Sequence, residues 1–216
     1  MFEFIEVKYK DIVDIPNLSI SRGLTVLLGP SGGGKTTILR MLNKMISPTR
    51  GRILFDGKDL KQIKSVEHRR NVMMLSQNPA MYEGTIRDNL TIALRFQEKE
   101  SPGDDELYKI LSGVRLHKDL EMPVYQLSGG EKQRLALGRL FLCDPAVYLL
   151  DEPSSALDDD TEDAIIKMVS EHMETTRKSV VMITHSKSLA EKYADEIIEI
   201  SDGKIISRRA VYERNH

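Results

Sequence analysis

Apolar residues recur along this chain in two rhythms, one of period two and one near 3.6, and the rhythms take turns. Phe2–Val7 and Leu18–Ile20 alternate apolar and polar, which predicts short strands at a sheet edge. Leu24–Leu28 is an unbroken apolar run, the pattern of a strand buried on both faces. Ile38, Leu39, Met41, Leu42, Met45 and Ile46 then fall at helical spacing and predict a helix. Arg52–Phe55 reads as a strand closed by the turn pair Asp56-Gly57, and Val72–Ser76 as another. From Asn78 to about Tyr125 the pattern is helical and polar, broken at Ser101-Pro102-Gly103, and predicts a helical insert. The strand rhythm returns at Ala146–Leu150, Val180–Thr184 and Glu196–Ile200. Helices are expected over Thr161–Met173 and Leu189–Ala194, with a turn at Asp202-Gly203. Strands alternating with helices predict an α/β domain with a largely parallel sheet.

Bulk properties narrow the picture without naming a chemistry. The 216 residues suit one domain with a real core. A formal net charge of -2 gives no electrostatic case for nucleic acid or an anionic membrane surface. Cys143, the single cysteine, excludes an internal disulfide and reads as a small buried hydrophobe. The start Met-Phe-Glu-Phe-Ile-Glu lacks the basic region and apolar run of a signal peptide. No segment reaches the ~18–20 apolar residues needed to span a bilayer, so direct membrane insertion is not expected.

The chemistry is carried by short strings. Gly29-Pro30-Ser31-Gly32-Gly33-Gly34-Lys35-Thr36 fits G-x-x-x-x-G-K-[ST], with a strand before it and a helix after it. Its glycines let backbone N–H groups converge on phosphate oxygens, and the helix start adds partial positive charge. Lys35 is expected on the β- and γ-phosphates, the Thr36 hydroxyl on Mg²⁺, and Thr37 near the α-phosphate. Val147–Leu150 is an apolar strand delivering Asp151 and Glu152 to the sheet edge where the metal sits. Asp151 is expected on the metal side and Glu152 as general base toward water. Ser128-Gly129-Gly130-Glu131 has capping-box spacing ahead of an apolar helix. Bare glycines at that helix start would also offer N–H groups to an anion, and both readings hold together. Gln77, at a strand end, has an amide able to ligate Mg²⁺ and orient water. His185 follows the strand Val180–Thr184; taken alone, Gln77 reads as a surface residue and His185 as a surface or packed one, as do His68, His117, His172 and His216.

The order Gly29–Thr36, Gln77, Leu127–Glu131, Asp151-Glu152, His185 resembles the ATP-binding subunits of ABC transporters along nearly the whole chain. The resemblance implies a P-loop NTPase fold: a RecA-like, mostly parallel core with an antiparallel β edge subdomain, plus an inserted α-helical subdomain. Residues 1–77 and 139–216 would form the core and 78–138 the insert, within a single domain. It further implies that Ser128, Gly129 and Gly130 face the γ-phosphate bound by a second copy. His185 would contact the γ-phosphate, Asp158 would be the acid of the loop joining the two sites, and Tyr9 would stack on adenine. Read alone, Tyr9 is a tyrosine at a strand end. Asn78–Leu90 resembles the segment that receives a helix from an integral membrane permease, so partners implied are a second copy and that permease, on the cytoplasmic face of the membrane. Ile46-Ser-Pro-Thr, Leu127-Ser-Gly-Gly-Glu-Lys-Gln-Arg and Thr184-His-Ser-Lys are similar to compact bacterial iron-export ATPase subunits, a resemblance that implies export of a metal ion. The competing reading is a soluble ABC-type ATPase of iron–sulfur cluster assembly, with no membrane partner. A P-loop kinase would share Gly29–Thr36 but has no use for Leu127–Glu131.

Overall fold

Two kinds of strand build two sheets. The structure, a computed structural model, describes residues 1–153 and 159–211. Half-buried, alternating strands β1 (Phe2–Tyr9) and β2 (Val13–Ile20) begin the chain, followed by the fully buried β3 (Leu24–Leu28) and helix α1 (Lys35–Leu42). Next come β4 (Arg50–Phe55), β5 (Lys58–Asp59), α2 (Ser65–Asn71) and β6 (Val72–Leu75). The insert holds α3 (Ile86–Arg95) and α4 (Asp104–Gly113) before α5 (Gly129–Cys143). The chain then runs through β7 (Val147–Asp151), α6 (Asp159–Thr176), β8 (Ser179–Ile183), α7 (Lys187–Tyr193), β9 (Glu196–Ser201) and β10 (Lys204–Ala210).

The smaller sheet is antiparallel in the order β2-β1-β4-β5. The larger runs β10-β9-β3-β8-β7-β6, parallel throughout except for β10. That order sets the ends of β3, β8 and β7 side by side. The loop after Leu28, the pair Asp151-Glu152 and the segment Thr184-His185 therefore share one sheet edge, where α/β folds bind ligands.

Alternate side chains of the large sheet enter two separate cores. Leu27, Leu149, Val181, Ile183 and Ile198 pack with Ile38, Leu39 and Leu42 of α1 against Phe2, Phe4 and Ile15 of the small sheet. Leu24, Val26, Tyr148, Leu150, Val180 and Met182 pack on the other side, continuous with the helices of the insert and with α6. Each fully buried Leu or Ile stabilises the fold by about 1.5–3 kcal/mol, which is why these strands read as continuous apolar runs.

Four local differences from the sequence expectation have physical causes. Helix α1 stops at Leu42 and not near Ile46, because Lys44 takes a left-handed backbone (φ 58°) and the Asn43 side chain accepts the Met45 N–H. Helix α2 has only His68 buried, so it shows no apolar stripe to read. Edge strand β10 mixes Ile205 and Ile206 with Ser207, Arg208 and Arg209, and carries no apolar alternation. The boundary expected between 138 and 139 falls inside α5, a continuous helix that packs on α3 and α4 as well as on β6.

The two packed histidines predict an acid response. His68 is buried, with its Nε2–H donating to Leu42 O at 2.7 Å, and burial pulls its pKa below the usual value. His172 is also pulled down by burial; its ring meets the Tyr148 hydroxyl at 3.0 Å. Both are held neutral in the fold, so the unfolded chain binds more protons once pH drops below about 6.5. Urea unfolding should therefore show stability falling from pH 7 toward pH 5.5, and His68→Gln should flatten that slope. An unchanged slope in the variant would remove His68 from this account.

Candidate nucleotide site

The loop between β3 and α1 is folded for backbone approach. Gly29 has φ +139°, and a Cβ there would lie 1.9 Å from Ile200 O, so only glycine fits. Gly33 N–H donates to Pro30 O at 3.2 Å, and Gly33 O accepts from Gly203 N–H at 3.1 Å. The turn at Asp202-Gly203 thus buttresses the loop from outside. Over the loop lies a cavity of about 270 Å³ lined by Ser31, Gly32, Gly33, Gly34, Lys35, Thr36 and Thr37, with Gln77, Glu152 and Ile12. The Lys35 ammonium donates to Gly29 O at 2.9 Å and Pro30 O at 2.7 Å. Burial lowers its pKa, opposed by the charges of Glu152 and Asp151.

The acid pair meets this loop through β7. The Thr36 hydroxyl donates to Asp151 Oδ1 at 3.0 Å. Asp151 is buried, and burial first, then the Glu152 charge, pushes its carboxyl pKa up while the Thr36 bond pulls it down. A hydroxyl and a carboxylate side by side are hard oxygen donors of the kind Mg²⁺ takes beside phosphates, so these residues fit that ion. Glu152 has a left-handed backbone (φ 49°), a conformation that costs energy in a residue other than glycine. Its N–H is held by Ile183 O at 3.2 Å.

Three residues placed apart in the sequence close on one carboxylate. Glu152 Oε2 accepts from Gln77 Nε2 at 2.8 Å, and Oε1 lies 2.8 Å from His185 Nε2, which donates to it. Gln77 and His185 are both exposed, so either can release an oxygen of Glu152 to a water. With its nitrogen on Glu152, the Gln77 amide keeps its oxygen for a cation.

The second glycine-rich start is built differently. The Ser128 hydroxyl accepts from Glu131 N–H at 3.3 Å, and Glu131 Oε2 accepts from Ser128 N–H at 2.8 Å, completing a capping box. That backbone bond, with Lys118 at 3.0 Å, holds the Glu131 carboxyl down to about 2. The Ser128 hydroxyl thus accepts from the Glu131 N–H and also bonds the Glu131 carboxylate. Gly129 is exposed, its φ is not positive, and a Cβ there would meet nothing within 4 Å. Among the described residues no contact explains why this position lacks a side chain. Ser128, Gly129 and Gly130 do not line the cavity over the first loop.

Two expectations lie away from this cavity or outside the described residues. Tyr9 ends β1 opposite Val13, with Lys10 Nζ 5.5 Å from its ring centre; Ile12, and not Tyr9, lines the cavity. The signal for Ile12 was an exposed isoleucine in a polar turn, which a periodicity reading passes over. Asp158 lies outside the described residues.

Comparison with known proteins agrees with this geometry. The family described as "ABC transporter" matches residues 13–155. The chain is 37% identical over 207 residues to "Protein STAR1" of Oryza sativa subsp. japonica, covering 93% of this chain and 58% of that protein. It is 36% identical over 205 residues to "ABC transporter I family member 17" of Arabidopsis thaliana, covering 92% and 76%. Among solved structures, the "dimeric structure of a post-hydrolysis state of the ATP-binding cassette MJ0796 bound to ADP and Pi" superposes with a TM-score of 0.87 at 24% identity, covering 99% of this chain and all of that one.

Proposed function

Because this chain belongs to the ABC transporter family and is one of its ATP-binding, ATP-hydrolysing domains, we propose that two copies close head to tail over two ATP molecules and so drive a membrane permease. The observation that carries the reading is the division of parts. One chain sets Lys35, Thr36, Gln77 and Glu152 around one cavity, with Asp151 bonded to Thr36 and His185 to Glu152, yet its bare helix start at Ser128–Gly130 lines none of it. A second copy supplies that start: the Ser128 O–H and the Gly130 N–H donate to the γ-phosphate bound by its partner. The cassette MJ0796, of the same fold, is itself dimeric with ADP and Pi bound, which supports a two-copy reading.

Within each composite site the backbone N–H groups of residues 29–37 and the Lys35 ammonium hold the phosphates. Thr36, Asp151 and the Gln77 amide oxygen would hold Mg²⁺, which when bound neutralises charge on the β- and γ-oxygens. Glu152 orients the attacking water and draws its proton; His185 holds the carboxylate by Oε1 and Gln77 by Oε2 until the water takes a place. Hydrolysis removes the γ-phosphate that joins the copies, and they part.

Among the described residues no helix is long and apolar enough to cross a membrane. We propose that this domain couples to transport through a membrane permease that docks on it. The docking site we propose is Gln77–Leu90, on the cytoplasmic face. Tyr82 is exposed there with the exposed Phe96 edge-on to it at 6.1 Å, an apolar step open to a partner helix. Export of a metal ion rests only on the likeness of Ile46-Ser-Pro-Thr, Leu127-Ser-Gly-Gly-Glu-Lys-Gln-Arg and Thr184-His-Ser-Lys to iron-export ATPase subunits. Pull-down from detergent-solubilised membranes should recover a polytopic membrane protein with the parent chain and lose it with Tyr82→Glu. Recovery of no such protein by the parent, or equal recovery by the variant, would refute the docking assignment.

A further inference from the structure

Residues 78–83, the segment between Gln77 and α3, make no backbone–backbone hydrogen bond among the described residues. Their shape is held by side chains instead: the Ser76 hydroxyl donates to Asn78 O at 3.0 Å, and Asn89 and Arg139 hold residues 80–82. Asn89 of α3 is fully buried; its Oδ1 accepts the Tyr82 N–H at 2.9 Å, and its Nδ2 donates to Tyr82 O at 2.8 Å and Thr85 O at 3.1 Å. Arg139 of α5 spreads its fork over the same group: Nε donates to Asn89 O at 2.7 Å, Nη2 to Asn89 Oδ1 at 3.1 Å, and Nη1 to Ala80 O at 3.0 Å. Its guanidinium carbon stands 5.3 Å from the centre of the Tyr82 ring. Gly138 lets α5 approach closely here, since a Cβ would stand 3.2 Å from Leu90 Cδ2 and Ile110 Cγ2.

A partly buried arginine whose fork is directed to two backbone carbonyls and the Asn89 side chain fixes geometry more than it adds stability. The two elements it joins are both assigned to the ATP reaction. One begins at Gln77, whose amide reaches Glu152 in its own copy; the other begins at Ser128–Gly130, assigned above to the partner's ATP. We propose that Arg139, acting through Asn89, is a positioning residue that makes residues 78–82 and α5 one rigid body, so that Gln77 and the Ser128–Gly130 helix start move together during closure. This rests on the dimer reading above. Arg139 touches no reacting atom in it; it fixes the angle at which α5 presents Ser128 while Gln77 engages Glu152. Lysine cannot replace it, because a single ammonium cannot span Ala80 O and both oxygens of Asn89.

The test compares Arg139→Lys, which keeps the charge and loses the fork, with Asn89→Asp, which keeps the acceptor for Tyr82 N–H and loses the donor to Tyr82 O. ATP binding to the single chain should stay within about twofold of the parent, since the phosphate loop is untouched, while kcat falls about ten- to a hundredfold at a temperature where both variants are folded. In a Glu152→Gln background, Arg139→Lys should also lower the fraction of chain that dimerises with ATP. Parental kcat per folded molecule in both variants, even with a lowered Tm, would reduce Arg139 to a structural role and overturn the proposal. Failure of Glu152→Gln alone to dimerise with ATP would strike the dimer reading itself, and this proposal with it.

Discussion

Replacing Glu152 with Gln is expected to lower ATP turnover by about a hundred- to ten-thousandfold while leaving nucleotide binding intact. The substitution keeps the size and the planar shape of the side chain, so the two neighbours at 2.8 Å can still be met by an amide after reorientation. What is lost is the charge that draws a proton from water. Lys35, Thr36 and the loop glycines are untouched, so ATP should bind and stay. If the γ-phosphate is what joins two copies, the variant should then accumulate as an ATP-bound dimer. Turnover near the parental rate would remove Glu152 from the role of base, whatever the oligomeric state.

Gly129→Asp is expected to act in opposite directions on the fold and on activity. A Cβ at Gly129 meets nothing within 4 Å, and its backbone is not in the left-handed region, so the single chain accepts a side chain there. An Asp in the first turn of α5 gains over glycine in helix propensity and from the helix dipole, each by a few tenths to about 1 kcal/mol. The Tm of the isolated chain should therefore hold or rise. In the composite site the same carboxylate would sit where the partner's γ-phosphate is held, replacing an open N–H surface with a like charge. Turnover should fall by about a hundredfold or more. A variant that is both more stable and fully active would mean that Gly129 faces nothing.

The parts of this site that could be read from sequence share one property: each depends on its immediate neighbours. Gly29–Thr36 needs only a strand before it and a helix after it, and β3 and α1 supply both. The capping box at Ser128–Glu131 is local, and so is the acid pair ending β7. The large sheet was legible because strands buried on both faces leave continuous apolar runs. Elements that escaped lack such a signal. Helix α2 buries only His68, and β10 interleaves arginines with its isoleucines on an exposed edge. Convergence of Gln77 and His185 on the two oxygens of Glu152 depends on strand order β3-β8-β7-β6, which no spacing discloses. Ile12 lines the cavity because the turn after β1 folds against Gly34 and Gly203, a long-range contact. Arg139 carries no sequence signal of its own, and its fork onto Ala80 and Asn89 is visible only in three dimensions.

Sedimentation of the Glu152→Gln chain with and without Mg-ATP tests the central claim most directly, run beside the Glu152→Gln, Gly129→Asp double variant. If each copy holds half of each active site, the single variant doubles in mass only when Mg-ATP is present and retains one ATP per chain. The double variant binds ATP with similar affinity and stays monomeric. A single variant saturated with ATP yet still monomeric, or a double variant that dimerises as readily, would contradict the account.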